Sequence, residues 1–141
     1  MTIEVLKNAR SHPARDAAIQ SISCIETGDR EGWLSLWHED GLIEDPVGKS
    51  PLDPEGSGHR GIDAITRFFD RVIAPSELRF TIRQSFAAGD ECANVGTITT
   101  RTKDGVVMRT ELIMVYRVNS DGKLVSLRAF WEFDDTAASV F

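Results

Sequence analysis

The stretch KDGVVMRTELIMVYRVNSDGKLVSLRAFWEF, residues 103–133, carries two tight-turn signals, KDG at 103–105 and NSDG at 119–122. Between them runs a segment too apolar to be a loop. Read with a period of two, Met108, Thr110, Leu112, Met114, Tyr116 and Val118 share one face. Val107, Arg109, Glu111, Ile113, Val115 and Arg117 share the other. The first face is continuously apolar or hydroxylic and the second mixes charge with bulk, so the pattern predicts a strand with one buried side. Turn chemistry on both flanks makes it the middle of an antiparallel meander.

Working upstream, Leu78, Phe80 and Ile82 alternate with Arg79, Thr81 and Arg83, and a further strand covers roughly 91–102. Before Pro75 the period is helical. Residues 12–27 place Ala14, Ala18, Ser21, Ile22 and Ile25 on one face, with Ser11 and Pro13 as a start and Gly28 as a stop. Asp29 is positioned to cap a short helix over 30–37, and Ile62, Ile65, Phe68, Phe69 and Val72 form the stripe of a third. Three helices followed by a mainly antiparallel sheet predict an α+β fold with the helices on one sheet face. The 141 residues suit a single domain, 1–141, with 1–11 expected as a flexible extension.

A net charge of −6 argues against nucleic acid or an anionic membrane as partner. The start MTIEVLKNARSHPAR lacks the apolar core of a signal peptide, and no run reaches the length of a membrane span. Cys24 and Cys92 read as buried free thiols, which suit a reducing compartment and a cytoplasmic location. Three scattered histidines show no paired ligand spacing, so neither a metal nor another cofactor is expected.

LIEDPVGKSP, residues 42–51, holds the most chemistry. Two carboxylates, Glu44 and Asp45, leave an apolar strand, and Pro46 bars Asp45 from helical geometry. An apolar corner weakens solvation of a carboxylate and raises its basicity. The order of elements, with IEDPVG at 43–48, HRGIDAITRFF at 59–69 and GKLVSLRAFW at 122–131, resembles the ketosteroid isomerase branch of the NTF2-like superfamily. The resemblance spans about Ala17 to Trp131. It implies a cone in which a curved sheet wraps helices around an apolar pocket. It also implies that Asp45 is the base that moves a proton between two carbons flanking a carbonyl.

The family's oxyanion hole of one tyrosine and one protonated aspartic acid does not carry over. Ungapped counting puts Ser21 at the tyrosine position and Met114 at that of the aspartic acid. Tyr116, the sole tyrosine, and Trp131 are candidate replacement donors, and Phe68 and Ala129 match pocket-lining positions. The expected partner is therefore a small apolar ligand, steroid-like or polyketide-like. A binding protein without catalysis is the alternative. An epoxide-hydrolase-like enzyme using Arg109 and Glu111 is a weaker one, because strand parity turns both away from the pocket. The connection 49–60 is longer than the family's and is expected to border the pocket mouth, and His59 is a candidate proton relay. Ile113, Val115 and Phe130 on the outer sheet face predict a homodimer through that face.

Overall fold

The computed structural model describes residues 2–3, 9–133 and 137–140. Among them one sheet runs β1 (Thr2–Ile3), β4 (Glu77–Ala88), β5 (Glu91–Arg101), β6 (Val106–Val118), β7 (Leu124–Phe130), β2 (Trp37–Glu44) and β3 (His59–Arg60) in spatial order. An edge strand, β8 (Ala137–Val140), pairs with β6. The meander β4–β5–β6–β7 is antiparallel throughout, in line with the two turn signals. Of the expected N-terminal extension, residues 1 and 4–8 lie outside the described residues, whereas Thr2 and Ile3 pair in parallel with Thr81 and Ile82.

Helix α1 (Pro13–Thr27) stops at Gly28, whose φ of 72° is the left-handed conformation a glycine adopts without a Cβ clash. At its start the cap is the imidazole of His12, not Ser11: Nδ1 accepts from the Ala14 N–H at 3.1 Å. Helix α2 (Arg30–Ser35) is capped by Asp29 as expected, but it ends two residues before Trp37. Strand β7 competes for that segment: the Leu36 carbonyl accepts from the Leu124 N–H at 2.8 Å, and Trp37 begins β2 opposite Leu124. Helix α3 (Ile62–Phe68) continues into a π-helical turn, Phe69–Ile73, in which the Ala74 N–H reaches back to the Phe69 carbonyl. The wider turn rotates the apolar stripe, so that Phe68, Val72 and Ile73 all reach one cavity.

Among the described residues the register of the sheet shifts within the β2–β7, β4–β5 and β6–β7 pairs. Between Ile82 and Gln84 the pairing of β4 with β5 shifts register, leaving Arg83 as an extra residue opposite Gly96 and Val95. The backbones approach so closely there that a Cβ on Gly96 would lie 2.0 Å from the Thr81 carbonyl oxygen. The concave face packs on the helices around a core that includes Ile22, Trp33, Ile65, Phe69, Ile82 and Leu112.

Candidate functional site

Asp45 enters the interior because of how β2 pairs. Strand β2 lies parallel to β7 with Glu44 opposite Arg128, and the Val47 N–H donates to the Ala129 carbonyl at 2.9 Å. Alternation then decides the sides. Glu44 points the opposite way from Asp45 and accepts from the Arg128 guanidinium at 3.1 Å, its own side chain 17% exposed. Asp45 faces inward, as do Ala129 on the neighbouring strand and Trp131 just past its end. The Trp131 indole N–H donates to Asp45 Oδ1 at 2.6 Å, a short bond of the charge-assisted kind. The Asp45–Pro46 peptide is cis.

Asp45 is one of the few polar groups on a cavity of about 480 Å³ enclosed by the concave sheet and the helices. Burial raises its pKa above the usual carboxylate range, and the Trp131 hydrogen bond and the field of His59 lower it in part. Its carboxylate is therefore more basic than an exposed aspartate, while the indole fixes its orientation. Tyr116 shares the cavity wall. Burial first, then the negative charge of Asp45 and the Cys92 thiol, hold its phenol well above the ordinary value. It therefore remains a neutral O–H donor. The acceptor it has is the Met114 thioether at 3.7 Å, a weak one that a ligand carbonyl can displace.

The structure gathers Asp45, Phe68, Met114, Tyr116 and Trp131 on this one cavity. Ser21 and Ala129 stand outside its lining, although both are fully buried. Ser21 Oγ accepts from the Trp33 indole N–H at 3.0 Å, so the tryptophan ring, which does line the cavity, stands at the end of the serine's hydrogen bond. The Trp131 N–H is committed to Asp45 instead of pointing at a ligand oxygen. Arg109 and Glu111 are exposed on the convex side, where Glu111 accepts from Thr97 at 2.7 Å and pairs with Arg83. No bulge turns them inward.

Several lining residues were not anticipated. Leu52 comes from the 49–60 connection, whose Asp53 carboxylate accepts from the Gly58 N–H at 2.8 Å and so ties the loop to itself. Phe133 stacks on Trp131, ring centroids 5.5 Å apart, and is 41% exposed at the rim. Ser76, Thr100 and Thr110 add hydroxyls. Thr110 was legible from the parity of β6; Thr100 follows from the register that sets it opposite Met108. His59 is not on the lining. Its ring packs on Phe68 with centroids 4.9 Å apart, and its buried Nε2 has no hydrogen-bond partner among the described residues.

Known proteins resemble this chain in sequence and fold. A SnoaL-like domain model matches residues 18–127. A Mycobacterium tuberculosis protein, solved in complex with estradiol-17beta-hemisuccinate, is 36% identical with a TM-score of 0.86, covering 90% of this chain and 99% of that one. The delta 5-3-ketosteroid isomerase of a Mycobacterium species is 34% identical with a TM-score of 0.87, covering 92% and 100%. An uncharacterized PhzA/B-like protein of Pseudomonas aeruginosa is 27% identical over 121 residues, 84% of this chain and 83% of its own length. With the fold, the cavity and the family model in agreement, the chain belongs to the SnoaL-like family, in the branch of the NTF2-like superfamily that holds the ketosteroid isomerases.

Proposed function

We propose that this protein binds a small apolar ketone in the cavity and moves a proton between carbons flanking the carbonyl, with Asp45 as base and carrier. The observation that carries the reading is the Asp45 carboxylate, held by Trp131 at 2.6 Å and facing an otherwise apolar cavity. Such an acid is desolvated enough to be basic and oriented enough to act without rearranging. Tyr116 is the donor assigned to the enolate oxygen. One donor in place of two leaves less charge stabilisation, since each preorganised donor is worth roughly 100- to 1000-fold in rate. Slow turnover is therefore expected on a β,γ-unsaturated 3-ketosteroid.

The second reading is a binding protein that keeps the cavity and has lost the reaction. Met114 in a donor position, and the commitment of the Trp131 N–H to Asp45, favour it. The Asp45→Asn variant separates the two. Under the first, proton transfer falls by roughly 100- to 10,000-fold, while steroid affinity is kept or improved because an amide is easier to desolvate than a carboxylate. Binding by the wild type with no turnover on any unsaturated ketone would leave only the second. The chain, whose Cys24 and Cys92 are both free thiols, is assigned to a reducing compartment, the cytoplasm. It is further assigned to a homodimer through the outer sheet face, where Ile113 and Phe130 lie opposite each other and are 43% and 42% exposed.

A further inference from the structure

The histidines differ in how their ring nitrogens are used. His12 caps α1 through Nδ1 and its Nε2 meets the Gly89 carbonyl at 2.9 Å, while His38 Nδ1 accepts from the Asp40 N–H at 3.1 Å. His59 Nε2 is buried with no hydrogen-bond partner among the described residues. The residue as a whole is only half-buried, so part of it reaches solvent while Nε2 does not. A buried nitrogen left unpaired pays its desolvation without a compensating bond.

Strand register decides what lies within reach of that nitrogen. His59 pairs with Ile43 in the antiparallel ladder of β2 and β3, so the two side chains share a face, and Ile43 is fully buried. Asp45 is two residues beyond Ile43 and takes the same side. His59 and Asp45 are therefore diagonal neighbours. Such neighbours lie roughly 7–8 Å apart, a gap that an imidazole and a carboxylate span directly or through one water. The field of the imidazole does reach Asp45, where it favours the charged carboxylate. Phe68, on the cavity wall, packs its ring against the imidazole. His59 thus meets the base from behind the wall and does not meet the ligand. Of the other ionisable groups nearby, Tyr116 shares the cavity with Asp45, and Asp53 is bonded to the Gly58 N–H at 2.8 Å. Asp63 and Arg67 of α3 are exposed.

A base sealed in an apolar cavity keeps the proton it has taken until the ligand takes it back, unless a second group offers an exit. We propose that His59 is that exit: a relay, acting through Asp45, by which the captured proton exchanges with solvent while the enolate is still bound. The Asp45 carboxyl gives its proton to the lone pair of neutral Nε2, and the imidazolium releases its Nδ1 proton to water. The same path run backwards returns a solvent proton to Asp45, which delivers it to the second carbon. No bond of the ligand changes during the exchange itself. Protonation also loosens the carboxyl from Trp131, because the indole bond is strongest to the charged form. The relay rests on the assignment of Asp45 as base and adds the fate of the proton.

The test follows the proton. A β,γ-unsaturated 3-ketosteroid carrying deuterium on the α-carbon that is deprotonated is converted in ordinary water. Deuterium NMR then reads how much label has moved to the γ-carbon of the conjugated product. In the wild type the labelled γ-carbon should be the minor fraction, because solvent protons replace the captured deuteron. It should become the major fraction in His59→Phe, which keeps a ring against Phe68 and deletes both nitrogens, and in His59→Gln, which is polar but does not titrate. The readout is a ratio within one product, so slower turnover or a smaller folded fraction does not move it. Equal label transfer by the wild type and both variants would overturn the relay while leaving Asp45 as the base. No turnover by the wild type would overturn both.

Discussion

Replacing Trp131 by phenylalanine keeps an aromatic ring against Phe133 and deletes the N–H that reaches Asp45 Oδ1 at 2.6 Å. A hydrogen bond to a charged group contributes about 1.5–3 kcal/mol. The loss should fall on the ionised carboxylate, because a protonated carboxyl is a weaker acceptor. The sign of the pH dependence follows. Burial already raises the pKa of Asp45 in the folded state above its unfolded value of 3.8, so the folded protein holds the proton more tightly. Asp45 therefore favours folding most below the unfolded value, and that advantage is lost as pH rises through the folded one. Removing the indole donor pushes the folded value higher still. The penalty of Trp131→Phe should consequently be largest near neutral pH and should shrink toward about pH 4, close to the ordinary aspartate value. For a domain of this size the whole penalty near neutral pH amounts to roughly 5–10 °C in melting temperature, and its excess over the acid value to roughly 3–5 °C. Thermal denaturation of both proteins across that range reads it directly. Repeating the measurement in an Asp45→Asn background isolates the charge: the amide oxygen still accepts, but the bond is neutral and worth about 0.5–1.5 kcal/mol, with no pH dependence from this pair. A penalty of equal size at both pH values, or a larger one in acid, would refute the assignment of the indole as the group that holds the charged base.

Three further outcomes are expected. Gly96→Ala should lower stability by about 1–3 kcal/mol or more, because the added Cβ would meet the Thr81 carbonyl at 2.0 Å; a melting temperature unchanged within a degree would mean that the sheet relaxes there. Ile113→Asp should shift a dimer to monomer in sedimentation at micromolar concentration, since the dimer would have to bury an unpaired charge; a wild type that is already monomeric removes the proposed interface. Tyr116→Phe should cost roughly 100- to 1000-fold in any isomerase rate with little change in steroid affinity, and an unchanged rate would show that another group stabilises the enolate oxygen.

The period-two pattern of residues 106–118 determined which side of β6 faces the cavity, because side-chain alternation is a property of the strand itself. The turn signals determined the antiparallel meander, and Glu44 and Asp45 were assigned opposite sides by the same parity. Pro46 and the apolar run before it marked Asp45 as the acid to watch. What lay beyond the sequence was every relation across the chain. The Trp131–Asp45 hydrogen bond joins residues 86 positions apart and depends on the parallel register of β2 on β7. The premature end of α2 has the same origin, since β7 takes the backbone that a helix would have used. Ser21 kept the inward direction its helix face predicted, yet Trp33 claims its hydroxyl and stands on the cavity wall itself. The register of β4 on β5 shifts at one extra residue, Arg83, beside a glycine with no room for a side chain. Local sequence sets which face a side chain takes. Which partner waits there is set by register and curvature, which exist only once distant strands have paired.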